Sequence, residues 1–319
     1  MNIGLIGLGT VGTGVVKIIA KSAGLIKERS GVSLTLKTIC ETDLSRKRDV
    51  DLTAFRTTPD ADDVLGDPEI DVVVELIGGY EPARAFVLGA LKKGKHVVTA
   101  NKALLARHGG EIHKAAAENG VQILYEAAVG ACIPILRALK DSLVTENISS
   151  ISGILNGTTN YILTKMTREN QSYEEALKKA QELGFAEADP TFDVEGKDAA
   201  HKLAIMASIA TGSFVSDEEI STEGITGVTK DDIKKARESG KVIKLVASYK
   251  KTPGGRELSV RPTLLDEDHP LAGVQNELNA VFVVGDNVGE MMLYGKGAGQ
   301  LPTASAVVAD VVTIGRNRV

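Results

Sequence analysis

Aromatic side chains and cysteine are scarce in this 319-residue chain, which has no tryptophan, two cysteines and 4% aromatic residues. So few aromatic rings disfavour stacking on nucleic-acid bases. Cys40 and Cys132 are too few for a disulfide framework or a Cys/His zinc cluster, so we expect a reducing, cytoplasmic environment. No apolar run is long enough to span a bilayer, and the start MNIGLIGLG lacks the charged region of a secretory leader.

An excess of positive charge is also missing. The formal net charge is -5 and the sequence pI is about 5.7, which argues against nucleic acid or an anionic membrane as the main partner. The length predicts two domains, and 43% hydrophobic residues can fill a sizeable core in each. We therefore expect a protein that acts on small molecules.

Glycine, in contrast, is abundant at 33 residues, and one glycine motif follows the first predicted strand, residues 2–6. The motif reads Gly7-Leu8-Gly9-Thr10-Val11-Gly12, and a predicted helix over residues 13–20 follows it. Gly7 permits the tight turn, Gly9 lets a pyrophosphate approach the backbone, and Gly12 allows close packing of helix on strand. The pattern predicts a dinucleotide site in which the amides of Leu8, Thr10 and Val11 face the anion.

Further strands alternate with helices at residues 34–40, 71–77, 96–100 and 121–126. Apolar strands joined by helices predict a Rossmann-type parallel sheet covered on both faces, with its ligand at the carboxyl ends of the strands. Gly78, Lys102 and Glu126 lie just past such ends. Lys102 could be a solvated helix-start residue, but lysine opposes the helix dipole there, which indicates a polar or anionic ligand.

The second half of the chain mixes strands and helices and predicts an α+β domain. We expect a dinucleotide-binding domain over residues 1–130, completed by a C-terminal helix at 303–319. A catalytic and dimerisation domain would then occupy residues 131–302. The glycine-rich segment 295–299 is either a structural turn or a second place where the backbone approaches a ligand.

One stretch, residues 185–202, gathers acids and lysines immediately before an apolar helix. Asp198 and Lys202 are spaced i and i+4 and would share one helix face, with Glu187 and Asp193 arriving from a loop. Carboxylates and an ammonium group near a buried helix start suit chemistry on a polar substrate. By itself the stretch also fits a surface helix whose acids complement its dipole and form one ion pair.

The motifs taken together resemble the homoserine dehydrogenase family over nearly the whole chain. The matching blocks are GLGTVG at 7–12, ELIGG at 75–79, TANKALLA at 99–106, YEAAVGACIPI at 125–135, GILNGTTNYIL at 153–163, GFAEADPTFDVEGKDAAHKLAI at 184–205 and YGKGAGQLPTASAV at 294–307. The resemblance implies reversible hydride transfer between L-aspartate 4-semialdehyde and L-homoserine with NAD or NADP, in threonine and methionine biosynthesis. It also implies a homodimer formed through the second domain.

The resemblance assigns roles to individual positions. The cofactor would contact Leu8, Gly9, Thr10, Val11, Gly12, Gly78, Lys102, Gly184 and Gly297. Glu187 and Asp198 would bind the substrate, and Lys202 would donate the proton to the aldehyde oxygen, with Lys102 close by on the other domain. Glu126 and the main-chain oxygens of Val129, Ala131 and Ile133 match the family's structural site for sodium or potassium.

Some positions depart from the family pattern. Ala131-Cys132 replaces the usual glycine pair, and His201 stands where arginine is common. Longer members append an ACT regulatory domain, and we expect this chain to lack one and so to escape remote inhibition by threonine. At the end of the second strand Glu41 precedes Arg46, Lys47 and Arg48, and we predict that NAD is used at least as well as NADP.

Two other functions remain open at this point. An amino-acid dehydrogenase on the same frame, such as an aspartate dehydrogenase, would share the glycine motif but not the block at 184–205. A non-catalytic dinucleotide sensor would leave the combination of Glu187, Asp198 and Lys202 unexplained.

Overall fold

A computed structural model describes residues 1–317; residues 318 and 319, the end of the predicted 303–319 helix, lie outside the described part. The chain divides into two compact units, one of Met1–Cys132 together with the segment from Ala298 onward, the other of Ile133–Gly297. Within residues 1–317 no helix combines the length and the apolar character needed to cross a membrane.

The first unit is built on a six-stranded sheet in which every pairing is parallel. Its strands are β1 (Asn2–Ile6), β2 (Thr35–Cys40), β3 (Arg56–Thr58), β4 (Val72–Glu75), β5 (His96–Thr99) and β6 (Ile123–Leu124). Their order is β3-β2-β1-β4-β5-β6, the Rossmann arrangement, in which the direction of winding reverses beside β1. The predicted α/β class and Rossmann-type sheet are confirmed.

Helices cover this sheet because its central strands are apolar on both faces. The helices are α1 (Thr10–Ser30), α2 (Asp62–Leu65), α3 (Ala83–Lys92), α4 (Lys102–Glu118) and α11 (Gln300–Arg316). Ile3 and Leu5 of β1 are fully buried in a cluster that also contains Val15 and Val16 of α1 and Val307 of α11. The glycine motif therefore emerges from a strand whose last four residues are buried.

The second unit contains a mixed six-stranded sheet in the order β12-β11-β7-β9-β10-β8. Its strands are β7 (Ile148–Ile154), β8 (Ser221–Thr222), β9 (Lys241–Thr252), β10 (Gly255–Asp266), β11 (Leu278–Gly285) and β12 (Gly289–Lys296). All neighbours pair antiparallel except β8 and β10, which are parallel. The predicted α+β character of this half is thus confirmed.

The helices of the second unit are α5 (Ile135–Arg137), α6 (Gly157–Glu169), α7 (Tyr173–Glu182), α8 (Thr191–Val194), α9 (Lys197–Thr211) and α10 (Lys230–Glu238). Several of them, namely α6, α7 and α10, have polar capping residues at their starts. Asn156 caps α6 by accepting from the Thr159 amide at 2.8 Å. Gly196, with φ of 81°, provides the left-handed turn that separates α8 from α9. These two helix starts position the polar cluster described below.

Several elements differ from their predicted form. The sequence predicts one connecting helix over residues 133–143, but the structure interrupts it, since Ile135–Arg137 continues as a π-helix at Ala138–Ser142. Strand β6 is two residues long because a 3₁₀ turn at Glu126–Ala128 follows it. No helix was predicted at Lys230–Glu238. Thr229 and Asp232 form a capping box at its start, and their spacing in the sequence is typical of a helix N-terminus.

Lys244 on β9 is a buried lysine that no prediction anticipated. It is 5% exposed, and its ammonium donates to Asn160 Oδ1 at 3.0 Å and to the Val274 carbonyl. Burial, and secondly the charge of Arg168, lower its pKa from 10.5 to about 8.

We expect the stability of the wild type relative to Lys244→Met to rise between pH 8 and about pH 10. Below pH 8 both the folded and the unfolded chain keep the proton on Lys244, so the full cost of burying its charge is present. At higher pH the folded chain loses that proton first, and the gain approaches about 3–4 kcal/mol above the pKa of the unfolded chain. Urea unfolding of both proteins across this range measures it, and a pH-independent difference would contradict the assignment.

Candidate active site

The glycine motif of the first unit forms a tight loop between β1 and α1. Gly7 has a φ of 98°, and a Cβ on Gly12 would lie 2.1 Å from the Gly7 carbonyl oxygen. A Cβ on Gly9, in contrast, would meet no heavy atom within 4 Å. The loop therefore presents an open backbone surface at Gly9, as a dinucleotide pyrophosphate requires.

Helix α1 begins at Thr10, three residues earlier than predicted, so Thr10 and Val11 lie in its first turn. An α-helix leaves the amides of its first turn without acceptors inside the helix, and these two can face an anion. The Leu8 amide differs from its prediction, because it donates to Glu41 Oε2 at 2.9 Å. Leu8 thus contacts the end of β2.

The ends of β4 and β5 are joined by buried hydrogen bonds. Glu75 is fully buried and accepts from the Ile77 amide at 2.8 Å, the Gly78 amide at 3.2 Å and the Thr99 hydroxyl at 2.7 Å. This carboxylate holds the turn that carries Gly78, whose φ is 78°. Glu75, the acid of the ELIGG block, was not among the predicted site residues, although residues at the carboxyl ends of parallel strands commonly line the ligand site.

Lys102 is the first residue of α4. Asn101 caps that helix by accepting from the Leu104 amide at 3.1 Å and donates to the Gly79 carbonyl at 2.7 Å. One side chain therefore ties the start of α4 to the turn after β4. This places Lys102 and Gly78 on two connected loops at the carboxyl edge of the sheet.

Lys202 and Asp198 form the centre of the polar cluster in the second unit. The Lys202 ammonium lies 2.7 Å from Asp198 Oδ2 and donates to the Leu155 carbonyl at 2.6 Å. The two residues are 8% and 4% exposed. A solvated surface pair would not be buried to this degree, so the alternative of a decorated surface helix does not describe this helix start.

Asn156 joins a second carboxylate to this pair. Its side-chain amide donates to Asp193 Oδ1 at 2.7 Å and to Asp198 Oδ2 at 2.9 Å. Burial, and then the nearby charge of Asp198, raise the pKa of Asp193. Asp193 also accepts from the Thr158 hydroxyl at 3.2 Å. Asn156 and Thr158 belong to the NGTT segment, whose polar residues before a helix are the signal that could have revealed them.

The other predicted residues of the second unit lie elsewhere. Glu187 is exposed, and its main-chain oxygen accepts from Gln181 at 3.1 Å, whereas Lys202 is buried and paired with Asp198. Gly184 ends α7 with a φ of 75° and is exposed. Gly297 is buried, and a Cβ there would lie 1.6 Å from Asn279 Oδ1. Gly184 thus has a left-handed backbone that glycine favours, and Gly297 lies too close to Asn279 to carry a side chain.

The segment predicted to bind a cation is buried at each predicted ligand, namely Glu126, Val129, Ala131 and Ile133. The Glu126 amide donates to Asp310 Oδ2 of α11 at 2.8 Å. Ala131 adopts a φ of 50°, in the left-handed region that glycine favours. The glycine pair usual in the resembling family is therefore replaced here without loss of this backbone conformation.

Each unit has one of the two features that a dinucleotide-dependent redox reaction needs. One has the Rossmann topology and an open glycine loop, and the other has a buried lysine held by a carboxylate, as proton transfer to a reacting oxygen needs. These features define a nicotinamide-dependent oxidoreductase. The chain belongs to the homoserine dehydrogenase family: the family's NAD-binding domain matches residues 7–126 and its homoserine dehydrogenase domain matches residues 134–312.

Individual relatives agree. The homoserine dehydrogenase of Bacillus subtilis (strain 168) is 48% identical over 317 residues, which are 99% of this chain and 73% of the relative. The crystal structure of a homoserine dehydrogenase from Thiobacillus denitrificans superposes with a TM-score of 0.95 at 46% identity, covering 100% of this chain and 74% of that one.

A hyperthermophilic archaeal homoserine dehydrogenase in complex with NADPH has a TM-score of 0.82 at 30% identity, covering 98% of this chain and 97% of that one. The family resemblance predicted from the sequence is confirmed. The alternatives of an aspartate dehydrogenase and a dinucleotide sensor are not favoured.

Proposed function

We propose that this chain catalyses the reversible interconversion of L-aspartate 4-semialdehyde and L-homoserine with NAD or NADP, as a step in threonine and methionine biosynthesis. The observation that carries the proposal is the buried Lys202–Asp198 pair, joined to Asp193 by Asn156, in a chain of this family. We place the enzyme in the cytoplasm, on the scarcity of cysteine, and name small molecules rather than nucleic acid or membrane as its partners.

Lys202 is the proposed proton donor to the aldehyde oxygen, and it takes the proton back when the alcohol is oxidised. An ammonium at that oxygen also neutralises the negative charge that develops on it. Asp198 keeps the Lys202 ammonium in place, and the neutral Leu155 carbonyl accepts a second hydrogen bond from it. Because Asp198 and the Leu155 carbonyl hold the Lys202 ammonium in one position, little reorganisation is needed at the moment of proton transfer.

Substrate recognition is proposed for the acids around Lys202. A zwitterionic amino acid brings an ammonium group that a carboxylate can bind, and Asp198 and Glu187 are the predicted partners. Asp193, which the sequence places in the loop before this helix, lies within the same hydrogen-bonded group. The exposed position of Glu187 leaves its carboxylate accessible to a ligand. Lys102 is a second cation proposed for the catalytic site.

The cofactor is proposed to bind along Leu8, Gly9, Thr10, Val11 and Gly12, with Gly78, Lys102, Gly184 and Gly297 as further contacts. When bound, a nicotinamide dinucleotide supplies or accepts the hydride. The open space at Gly9 fits such a group, since a larger residue would fill it. The archaeal relative that holds NADPH supports the same class of cofactor here.

A structural sodium or potassium ion is proposed for residues 126–133. Glu126 would supply one charged oxygen, and the carbonyls of Val129, Ala131 and Ile133 would supply neutral ones, a set suited to a hard monovalent cation. The left-handed backbone at Ala131 supports this proposal, because a strained conformation is retained where the surrounding structure requires it.

We also propose a homodimer formed through the sheet of the second unit. Met292, Phe282, Ser152, Ser248 and Ser259 pair directly across β12, β11, β7, β9 and β10 and therefore lie on one face. The three serines are partly exposed although β7 and β9 are central strands, and Met292 is 40% exposed. A partly exposed face of small and apolar side chains suits packing against the same face of a second copy.

Ser152→Arg, in the middle of that face, is expected to convert the dimer to a monomer, because two buried guanidinium groups would oppose each other across the symmetric interface. Light scattering after gel filtration measures the change. Ser45→Arg, at an exposed position of the first unit, is the matched control and should leave the mass unchanged. A monomeric wild type would contradict the proposal.

The proposed activity is tested by homoserine oxidation, followed through the appearance of NADH or NADPH, with L-aspartate as a competing substrate. Turnover of homoserine at least about a hundredfold above that of L-aspartate is expected, since discrimination of this size follows from pocket contacts. Turnover of L-aspartate alone would assign the chain to the other dehydrogenase class, and dinucleotide binding without any turnover would indicate a sensor.

A further inference from the structure

The acid at the end of β2 is held against the glycine loop. Glu41 directly follows this strand, and its Oε2 accepts from the Leu8 amide at 2.9 Å while its Oε1 accepts from the Asp43 amide at 3.1 Å. In a sheet of this topology the end of the second strand faces the adenosine ribose of the cofactor. A carboxylate has further lone pairs, so Glu41 can still accept from a ribose hydroxyl.

Arg48 fastens this carboxylate in place. Its Nη2 lies 3.2 Å from Glu41 Oε2, and its Nε donates to the Leu8 carbonyl at 2.8 Å. Its Nη1 donates to the Asp43 carbonyl at 2.8 Å and to the Arg46 carbonyl at 2.9 Å. All three guanidinium nitrogens are thus engaged by the chain itself, and the side chain is 6% exposed. Arg48 cannot turn toward a new anion without giving up these partners.

We infer that Arg48 is a positioning residue that locks Glu41 against the glycine loop and thereby makes the chain select NAD⁺ over NADP⁺. A cofactor 2′-phosphate would meet the Glu41 carboxylate, a like charge, while the opposite charge of Arg48 is already neutralised by Glu41. A ribose 2′-hydroxyl would instead find an acceptor whose position is fixed before binding. The inference rests on the proposed cofactor site and names which dinucleotide that site takes.

Arg46 and Lys47 define the competing possibility. Both are exposed, and either could reach a 2′-phosphate on the outer side of the loop. If they bind the 2′-phosphate, the selectivity between NAD⁺ and NADP⁺ would depend on their charge and not on Arg48. Arg46→Leu is therefore the matched control for Arg48→Leu, because each removes one guanidinium from the same loop and only the second releases Glu41.

The test measures the dissociation constants of NAD⁺ and NADP⁺ by calorimetry, without amino-acid substrate, for the wild type and the single variants. We expect the wild type to bind NAD⁺ at least about tenfold more tightly than NADP⁺, from the like-charge repulsion at Glu41. Arg48→Leu should weaken NAD⁺ about threefold to tenfold, as expected when one charge-assisted contact loses its position, and should weaken NADP⁺ less, so that the preference for NAD⁺ becomes smaller. Arg46→Leu should leave the NADP⁺/NAD⁺ ratio within about twofold.

A double variant tests whether Arg48 acts through Glu41. In the Glu41→Gln background, Arg48→Leu should weaken NAD⁺ less than about threefold, because the group that Arg48 positions has lost its charge. Arg48→Lys keeps the charge but not the fork of donors and should fall between wild type and Arg48→Leu. It provides the comparison if thermal unfolding shows that Arg48→Leu does not fold.

A wild type that binds NADP⁺ as tightly as NAD⁺ would overturn the inference, and so would an Arg48→Leu protein whose affinity for NADP⁺ falls at least as much as its affinity for NAD⁺. Failure of the proposed reaction is distinguishable, because binding is measured without homoserine. A protein that binds NAD⁺ selectively yet does not oxidise homoserine would leave the lock intact and overturn only the activity.

Discussion

Lys202→Met is expected to lower kcat for semialdehyde reduction by about 10²–10⁴-fold, the range that general acid catalysis typically contributes. The ammonium is removed where negative charge develops on the substrate oxygen, while the glycine loop of the first unit is untouched. The dissociation constant of NAD⁺ should therefore stay within about twofold, since the glycine loop belongs to the first unit and Lys202 to the second. Steady-state kinetics and calorimetry on the same preparation separate the two effects.

Folding must be measured with this variant because Asp198 is also affected. Without Lys202, the buried Asp198 carboxylate keeps its bond from Asn156 but loses its ammonium partner. An unpaired buried charge can cost several kcal/mol. Urea unfolding therefore accompanies the kinetics, and kcat is compared only at temperatures where the variant is folded.

Lys197→Met is the matched control. Lys197 lies on the same helix as Lys202 but is exposed, so its removal should change kcat less than about twofold. Asp198→Asn and Glu187→Gln should instead raise the homoserine KM, because they remove charge-matched contacts to the substrate. Asp198→Asn is also expected to reduce kcat if Lys202 moves.

The competing explanation treats Lys202 and Asp198 as a structural ion pair only. Under that explanation Lys202→Met would lower stability but leave kcat within a few-fold of wild type. Near-normal turnover in a folded Lys202→Met protein would end the mechanistic assignment.

Gly9→Ala and Gly12→Ala are expected to fail in different ways, although the two glycines belong to one motif. At Gly12 a Cβ would lie 2.1 Å from the Gly7 carbonyl oxygen, a backbone atom that cannot rotate away. Overpacking of this kind typically costs about 1–3 kcal/mol, so Gly12→Ala should lose stability and cofactor binding together.

At Gly9 no heavy atom lies within 4 Å of the added methyl group, and the φ of -72° is one that alanine adopts. We therefore expect Gly9→Ala to lower the free energy of unfolding by no more than about 1 kcal/mol, the difference between glycine and alanine at an N-cap. The methyl group would nevertheless occupy the space that the pyrophosphate needs, and the affinity for NAD⁺ should fall at least about tenfold.

Unfolding and calorimetric titration of both variants test this contrast. Wild-type NAD⁺ affinity in Gly9→Ala would show that no pyrophosphate approaches this part of the loop. Unchanged stability in Gly12→Ala would show that the contact between Gly12 and Gly7 is not retained in solution.

Local patterns were sufficient for much of this chain. The first strand was predicted at residues 2–6, and the structure has it at Asn2–Ile6, because an apolar run ended by glycine fits only a short buried strand here. The i, i+4 pairing of Asp198 and Lys202 was likewise predicted, since a helix determines that spacing by itself. The limits of β6 and the break after Arg137 were not, because a 3₁₀ turn and a π-helix depend on packing around them.

By itself the sequence determined the class of fold, the family and the position of the glycine loop, because each of these is encoded in residues that are close together along the chain. Only the tertiary structure decided which polar groups are hydrogen-bonded to each other. Asn156 is 42 positions from Asp198, and Arg48 is 40 positions from Leu8, yet each pair is hydrogen-bonded. Such bonds form where the packing of helices on sheets brings distant loops together and removes water, so that each buried charge must find a partner.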